Sequence, residues 1–185
     1  MLASSSPRRR ELLAEFGYRF ETVVADVVEV APPHLSVAET TLFNAKAKAS
    51  AVARLRPESV TVGADTLVAL AGEPLGKPRD ADDAFAMLTR LSGQEHEVFS
   101  GVWITHAASG RARGFIEVAR VCFRKLEPSE IREYMQRIHV LDKAGAYAAQ
   151  EDPMHIIRSI SGSRTNVIGL PMEALAQALD AGWNA

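Results

Sequence analysis

The 185-residue chain is 47% hydrophobic and 24% charged, a globular composition with enough length to bury its own core. With 21 basic and 23 acidic side chains its net charge is −2, which excludes a general basic coat for nucleic acid and leaves room only for a local anion site. A single cysteine, Cys122, excludes an internal disulfide and a multi-cysteine metal centre, and no apolar run approaches the roughly 18 residues of a membrane span. The expectation is one domain over residues 1–185, in two closely joined lobes, in the cytoplasm.

Met1–Ser4 reads as a short strand. Ser6-Pro7 supplies the N-cap and first position of a helix to about Phe16, with Leu12, Leu13 and Phe16 on its apolar face and Gly17 as its stop. Phe20–Val24 reads as a strand and Asp26–Pro33 as a loop. Ser36-Val37-Ala38-Glu39 has capping-box spacing and opens a long helix through about Arg54, with Leu42, Ala45, Ala49 and Val52 inward. Val60–Val62 begins a buried strand that reaches Asp65, Thr66–Leu70 continues it after a bend, and Gly72-Glu73-Pro74 reads as a turn. Asp80 starts a helix that stops near Gly93. His96–His106 and Arg113–Phe123 read as strands around Ser109-Gly110, and Pro128 opens a helix through about Arg137. Asp142–Asp152 reads mostly as loop, Met154–Ile160 and Thr165–Ile168 as short strands, and Pro171 opens a final helix with Gly182 after it. Strands and helices mix along the whole length, which predicts an α/β or α+β domain around a mixed sheet.

Arg8, Arg9 and Arg10 crowd the first turn of a helix, the end that already carries partial positive charge. A bound polyanion reverses that penalty, because free N–H groups and guanidinium forks both suit phosphate oxygens, and Ser4 and Ser6 add hydroxyls. The alternative is an exposed basic turn. Successive helical residues point about 100° apart, so two arginines at most serve one site. Asp65 follows an apolar run in which Gly63 and Ala64 leave room for a ligand, and it either orients a water or a cation or forms a turn. Glu29 is a second oxygen donor, and two carboxylates with water and phosphate oxygens suffice for Mg²⁺. Gly72–Pro78 fails the P-loop pattern, with its glycines one residue short and Pro78 at the Ser/Thr position, yet Lys77 still offers a point charge. Lys46 and Lys48 diverge on their helix and do different jobs. Gln150 can read a base edge and Tyr147 can stack, or the segment is a glycine turn packed by Tyr147. Cys122 reads as strand filler. GxGxxG, GxSxG and HExxH are absent, and the five histidines show no ligand spacing.

Taken together, Ala3-Ser4-Ser5-Ser6-Pro7-Arg8-Arg9, Asn44-Ala45-Lys46-Ala47-Lys48-Ala49, Gly63-Ala64-Asp65-Thr66, Gly76-Lys77-Pro78, Leu91-Ser92-Gly93 with His96, Asp142–Tyr147 and Asn166–Pro171 closely resemble the Maf (septum-formation-associated) family of nucleoside triphosphate pyrophosphatases. The resemblance covers nearly the whole chain. It implies an elongated mixed β-sheet with flanking helices and two lobes around a cleft, as in inosine-triphosphate-pyrophosphatase-like proteins. It also implies hydrolysis of a nucleoside triphosphate to monophosphate and pyrophosphate, a divalent cation (Mg²⁺, or Mn²⁺ or Co²⁺) and a homodimer; the charge balance and the lack of a long apolar run add the expectation of no stable nucleic-acid or membrane partner. On the matching motifs, Ser4, Arg8, Arg9, Lys48 and Lys77 stand as phosphate-site residues, Lys48 and Lys77 also as catalytic ones. Glu29 and Asp65 stand as catalytic and metal-binding acids, and Gln150 as a pocket residue near base or sugar. The Ala144-Gly145-Ala146-Tyr147 form resembles the dTTP/UTP-specific branch rather than the branch acting on N7-methyl-GTP. Glu151 stands where that branch usually has glycine, Asp152-Pro153 follow, and Arg164 stands near a frequent aromatic. Glu151 either repels phosphate, binds metal or faces solvent. The competing expectations are a nucleotide-sensing or division-linked interaction protein using the same pocket, and a phosphatase releasing terminal phosphate.

Overall fold

The computed structural model describes residues 1–24, 26–152 and 154–183. It has a mixed α/β architecture: β1 (Leu2–Ala3), α1 (Pro7–Glu15), α2 (Val37–Leu55), β2 (Thr61–Leu70), β3 (Glu73–Leu75), α3 (Ala81–Leu91), β4 (Glu95–His106), β5 (Arg111–Phe123), α4 (Pro128–Arg137), a 3₁₀ turn at Ala144–Ala146, β6 (Ile157–Ser161), α5 (Arg164–Ile168) and α6 (Met172–Asp180). One six-stranded sheet runs in the order β1-β2-β4-β5-β6, with β3 also on β2. Only β1 and β2 are parallel. Among the described residues no helix is long and apolar enough to cross a membrane.

Strand alternation sorts the sheet into two faces. The register pairs Val62 with Ile104, Ala64 with Val102, Thr66 with Ser100 and Val68 with Val98, all on one face. Val62, Ala64, Val102 and Ile104 join Leu2, Leu12, Leu13 and the α6 residues Met172 and Leu175 in one apolar cluster. Val68 and Val98 join Leu88, Phe123, Ile131 and Tyr134 in a second. The polar pair between them, with Thr66 Oγ1 and Ser100 Oγ 2.9 Å apart, forms a waist between two cores on one sheet. The other face carries α2. A Cβ built on Gly63 would lie 2.4 Å from the Ala45 carbonyl oxygen, and one on Gly101 would lie 2.4 Å from the Leu42 nitrogen. Only glycine lets the α2 backbone rest this close to β2 and β4.

Local sequence explains the helix boundaries. Ser36 and Glu39 close a reciprocal capping box on α2, and Asp80 caps α3 through the Asp83 N–H. The Thr165–Ile168 segment, read above as a strand, is helical: the Ser163 hydroxyl accepts from the Asn166 N–H and Gly169, at φ 132°, ends the turn. The Phe20–Val24 strand shrinks to a single parallel bridge between Leu2 and Thr22, because two-residue β1 offers little edge to pair with. Ala71 and Gly72, with φ of 51° and 81°, make the β2–β3 turn, so Glu73–Leu75 is a strand and Pro74 sits on the sheet's edge, where it needs no donor. The strand expected from Met154 starts at Ile157, after the Asp152 carboxylate takes the N–H groups of Ile156 and Ile157. Phe16 does not join the apolar face of α1 and is 43% exposed.

Candidate active site

The cleft forms where the sheet edge is interrupted. β1 ends opposite Gly63 and antiparallel β3 ends, at Leu75, opposite Val68, so residues 64–67 of β2 lack a strand on that side. A cleft of about 850 Å³ opens there. Asp65 is therefore not at the end of a strand; β2 continues five residues beyond it, to Leu70. Ser4–Arg9, Asp26, Glu29, Lys48, Asp65, Lys77, Asp142 and Lys143 line the cleft's polar parts, and Val24, Leu67, Val68, Val98, Ile168, Ala148 and Ala149 supply apolar surface.

The charged centre is a lysine held between two acids. Lys48 Nζ lies 2.7 Å from Glu29 Oε1 and 2.7 Å from Asp65 Oδ1. The Asp65 side chain is 7% exposed and the Glu29 side chain 53%. Burial alone would raise the Glu29 carboxyl, but the Lys48 hydrogen bond and the charges of Lys48, Lys77 and Arg9 outweigh it and hold it below its ordinary value. Asn44, one helical turn before Lys48, donates to the other Asp65 oxygen at 3.1 Å and to the Val30 carbonyl at 3.0 Å, and accepts from the Val30 N–H. It thus orients Asp65 and pins the Glu29 segment to α2. Sequence reasoning assigned Asn44 no role; the available signal was an amide on the alanine-rich inner face at i−4 from Lys48. Lys46 turns away and sits 4.9 Å over the Trp103 ring.

The three arginines separate as helical geometry requires. Arg10 is exposed. Arg9 is buried: Nε donates to the Gly169 carbonyl, Nη1 to Ser4 Oγ and the Ala64 carbonyl, and Nη2 to Thr66 Oγ1. Four of its five N–H groups are so engaged, which makes it the clamp joining α1, β2 and the Gly169 corner across the polar waist. Burial lowers its pKa, against the raising charges of Asp65 and Glu29. Arg8 lines the cleft and makes one ion pair, Nη1 to Asp142 Oδ2 at 3.3 Å. Ser4 Oγ accepts from the Ser6 N–H and from Arg9, which leaves its own proton to donate. Lys77 is exposed on the cleft wall. Gln150 is exposed, lies outside the cleft lining and donates to Glu11 at 3.1 Å. Glu151 is exposed and also outside the lining; Pro153 lies outside the described residues. Arg164 donates to the Ala149 carbonyl at 3.3 Å. Tyr147 is buried beneath the cleft, its hydroxyl 3.0 Å from His96 Nε2.

A family model described as "Maf-like protein" matches residues 1–182. The chain belongs to the Maf family. Curated relatives cover it almost end to end. A protein of Akkermansia muciniphila is 44% identical over 97% of this chain and 94% of its own length. One of Pelotomaculum thermopropionicum is 43% identical with the same coverage. A third, of Myxococcus xanthus, is 46% identical over 93% of this chain and 86% of its own. All three are named dTTP/UTP pyrophosphatase. In this Maf chain, Ser4, Arg8, Arg9, Glu29, Lys48, Asp65 and Lys77 line one cleft, whereas Gln150 and the Leu91-Ser92-Gly93 motif with His96 lie outside its lining.

Proposed function

We propose that this chain hydrolyses a nucleoside triphosphate, dTTP or UTP, between its α and β phosphates. The observation that carries the reading is Lys48, held at 2.7 Å from both Glu29 and Asp65 inside a cleft that Ser4, Arg8 and Lys77 also line. Cations that face a common cavity neutralise a triphosphate and its leaving group, the main protein contribution to phosphoryl transfer. The names of the relatives and the uncharged wall of Leu67, Val68, Val98 and Ile168 support a pyrimidine ring at the other end.

Asp65, with its two oxygens oriented by Lys48 and Asn44, accepts a proton from a water aimed at the α-phosphorus. The new bond joins water oxygen to that phosphorus, the α–β bridging bond breaks, and pyrophosphate leaves against Arg8 and Lys77. Ser4 donates its free O–H to a phosphate oxygen. The donor set fits Mg²⁺ or a similar cation: Glu29 and Asp65 offer hard oxygens and already share one cation, the Lys48 ammonium, between them. When bound, such an ion neutralises phosphate charge and lowers the barrier to departure of pyrophosphate. Glu29 and Asp65 would hold the ion, and among the described residues no group of three or more acid, histidine or cysteine side chains is placed to hold one.

The test incubates the protein and an Asp65→Asn variant with Mg²⁺ and separate nucleoside triphosphates. Monophosphate and pyrophosphate should appear together, with dTTP and UTP turned over fastest and the variant slowed by about 10²–10⁴-fold. Stepwise release through a diphosphate, or an undiminished rate in the variant, contradicts the proposal.

A further inference from the structure

The loop that follows α4 meets α1 at two points. Arg8 Nη1 donates to Asp142 Oδ2 at 3.3 Å, and Gln150 Nε2 donates to Glu11 Oε2 at 3.1 Å. Arg8 and Glu11 are three residues apart and share one face of the helix. Behind Asp142 stands Lys143. Its side chain is 9% exposed, with Nζ 2.7 Å from Asp142 Oδ1 and 2.6 Å from the His139 carbonyl. A buried ammonium destabilises a fold unless it is paired, and among the described residues Asp142 is its carboxylate partner. Asp142 therefore gives one oxygen to a fixed lysine and the other to Arg8. The loop devotes a buried charge to orienting a half-exposed carboxylate on the wall of the cleft.

We propose that Asp142 is a positioning residue for Arg8: clamped by Lys143, it holds one tip of the guanidinium so that the remaining N–H groups face the triphosphate. This rests on the reading of the cleft as a triphosphate site. Arg8 makes no other hydrogen bond among the described residues, so four N–H groups stay available once Asp142 has taken one. A long side chain ordered before its ligand arrives loses less freedom on binding. The negative charge of Asp142 is flanked by Lys143 and Arg8, which limits its repulsion of the polyanion. Burial alone would raise the Asp142 carboxyl, but the Lys143 hydrogen bond and the charges of Lys143 and Arg8 keep it below its ordinary value and ionised.

A double-mutant cycle decides the matter. Affinity for inorganic tripolyphosphate is measured by calorimetry for the wild type, Arg8→Ala, Asp142→Asn and the double variant. Asp142→Ser runs in a parallel cycle, so that loss of the fold in one variant leaves the other to decide. Asp142→Asn should weaken binding about 3- to 10-fold, Arg8→Ala more, and the double variant no more than Arg8→Ala alone. A loss from general damage to the loop would persist in the Arg8→Ala background; a loss through Arg8 disappears there. In turnover of UTP, Asp142→Asn should raise KM by a larger factor than it lowers kcat. Unchanged or tighter binding by Asp142→Asn, losses that multiply in the double variant, or no tripolyphosphate binding by the wild type overturns the proposal. Pyrophosphate release is recorded alongside. Intact coupling without release rejects the reaction and leaves the role of Asp142 standing; release without coupling rejects that role alone.

Discussion

Replacing Lys48 with methionine keeps the stem and removes the charge between Glu29 and Asp65. The Asp65 arm of the bridge is buried, so a carboxylate left there without its partner costs about 3 kcal/mol. The Glu29 arm is half-exposed and solvent-screened, and adds less than about 1 kcal/mol. A total of about 3–4 kcal/mol corresponds to a fall in Tm of about 6–16 °C for a chain of this length. The pH dependence fixes the cause. The Glu29 carboxyl is held low in the folded protein, so the stability it contributes is present above the ordinary carboxyl range and is lost as pH falls through its lowered folded value. Lys48→Met lacks that contribution of Glu29. The stability gap between wild type and variant should therefore narrow from about pH 7 to about pH 3, most of the change falling below the ordinary carboxyl value. Urea unfolding at both pH values measures it. A gap under about 1 kcal/mol near neutrality, or one that does not change with pH, would refute the paired-acid reading of the site.

His96 is buried, and burial pushes its pKa from 6.5 down to about 4. A base depressed in this way stabilises the fold above its unfolded value, so stability should decline as pH falls from about 6.5 towards 4, and His96→Leu should flatten that slope in urea midpoints taken across the interval. Gly63→Ala places a Cβ 2.4 Å from the Ala45 carbonyl and 2.7 Å from the Ala49 nitrogen, so α2 must lift from β2. It should cost about 1–3 kcal/mol in thermal unfolding and also slow turnover, because the same helix carries Asn44 and Lys48.

Helix ends were legible where a side chain writes them. The Ser36–Glu39 box, the Asp80 cap and Pro128 at the start of α4 are local hydrogen-bond or ring effects, and each element starts where its sequence indicates. Thr165–Ile168 misled because β-branched residues favour strands, whereas one Ser163 cap and the Gly169 stop suffice for a short helix. The site's charged residues stand out as types that open helices and strands rarely leave unpaired, and α2 does point Lys48 and Lys46 in different directions. What sequence spacing does not carry is partnership across the chain. Arg9 and Arg8 are neighbours of one type, yet one is saturated by Gly169, Ala64, Ser4 and Thr66 while the other keeps most of its donors. Nothing local to Asn44 announces that its acceptor is Asp65, 21 residues away. The cleft itself arises from where β1 and β3 each stop along β2, a property of register rather than of any motif.

Turnover in ¹⁸O-labelled water addresses the reaction itself. Attack on the α-phosphorus by a water held at Asp65 puts the label in the nucleoside monophosphate and leaves the pyrophosphate unlabelled. Label recovered in pyrophosphate, or in inorganic phosphate beside a nucleoside diphosphate, would contradict it.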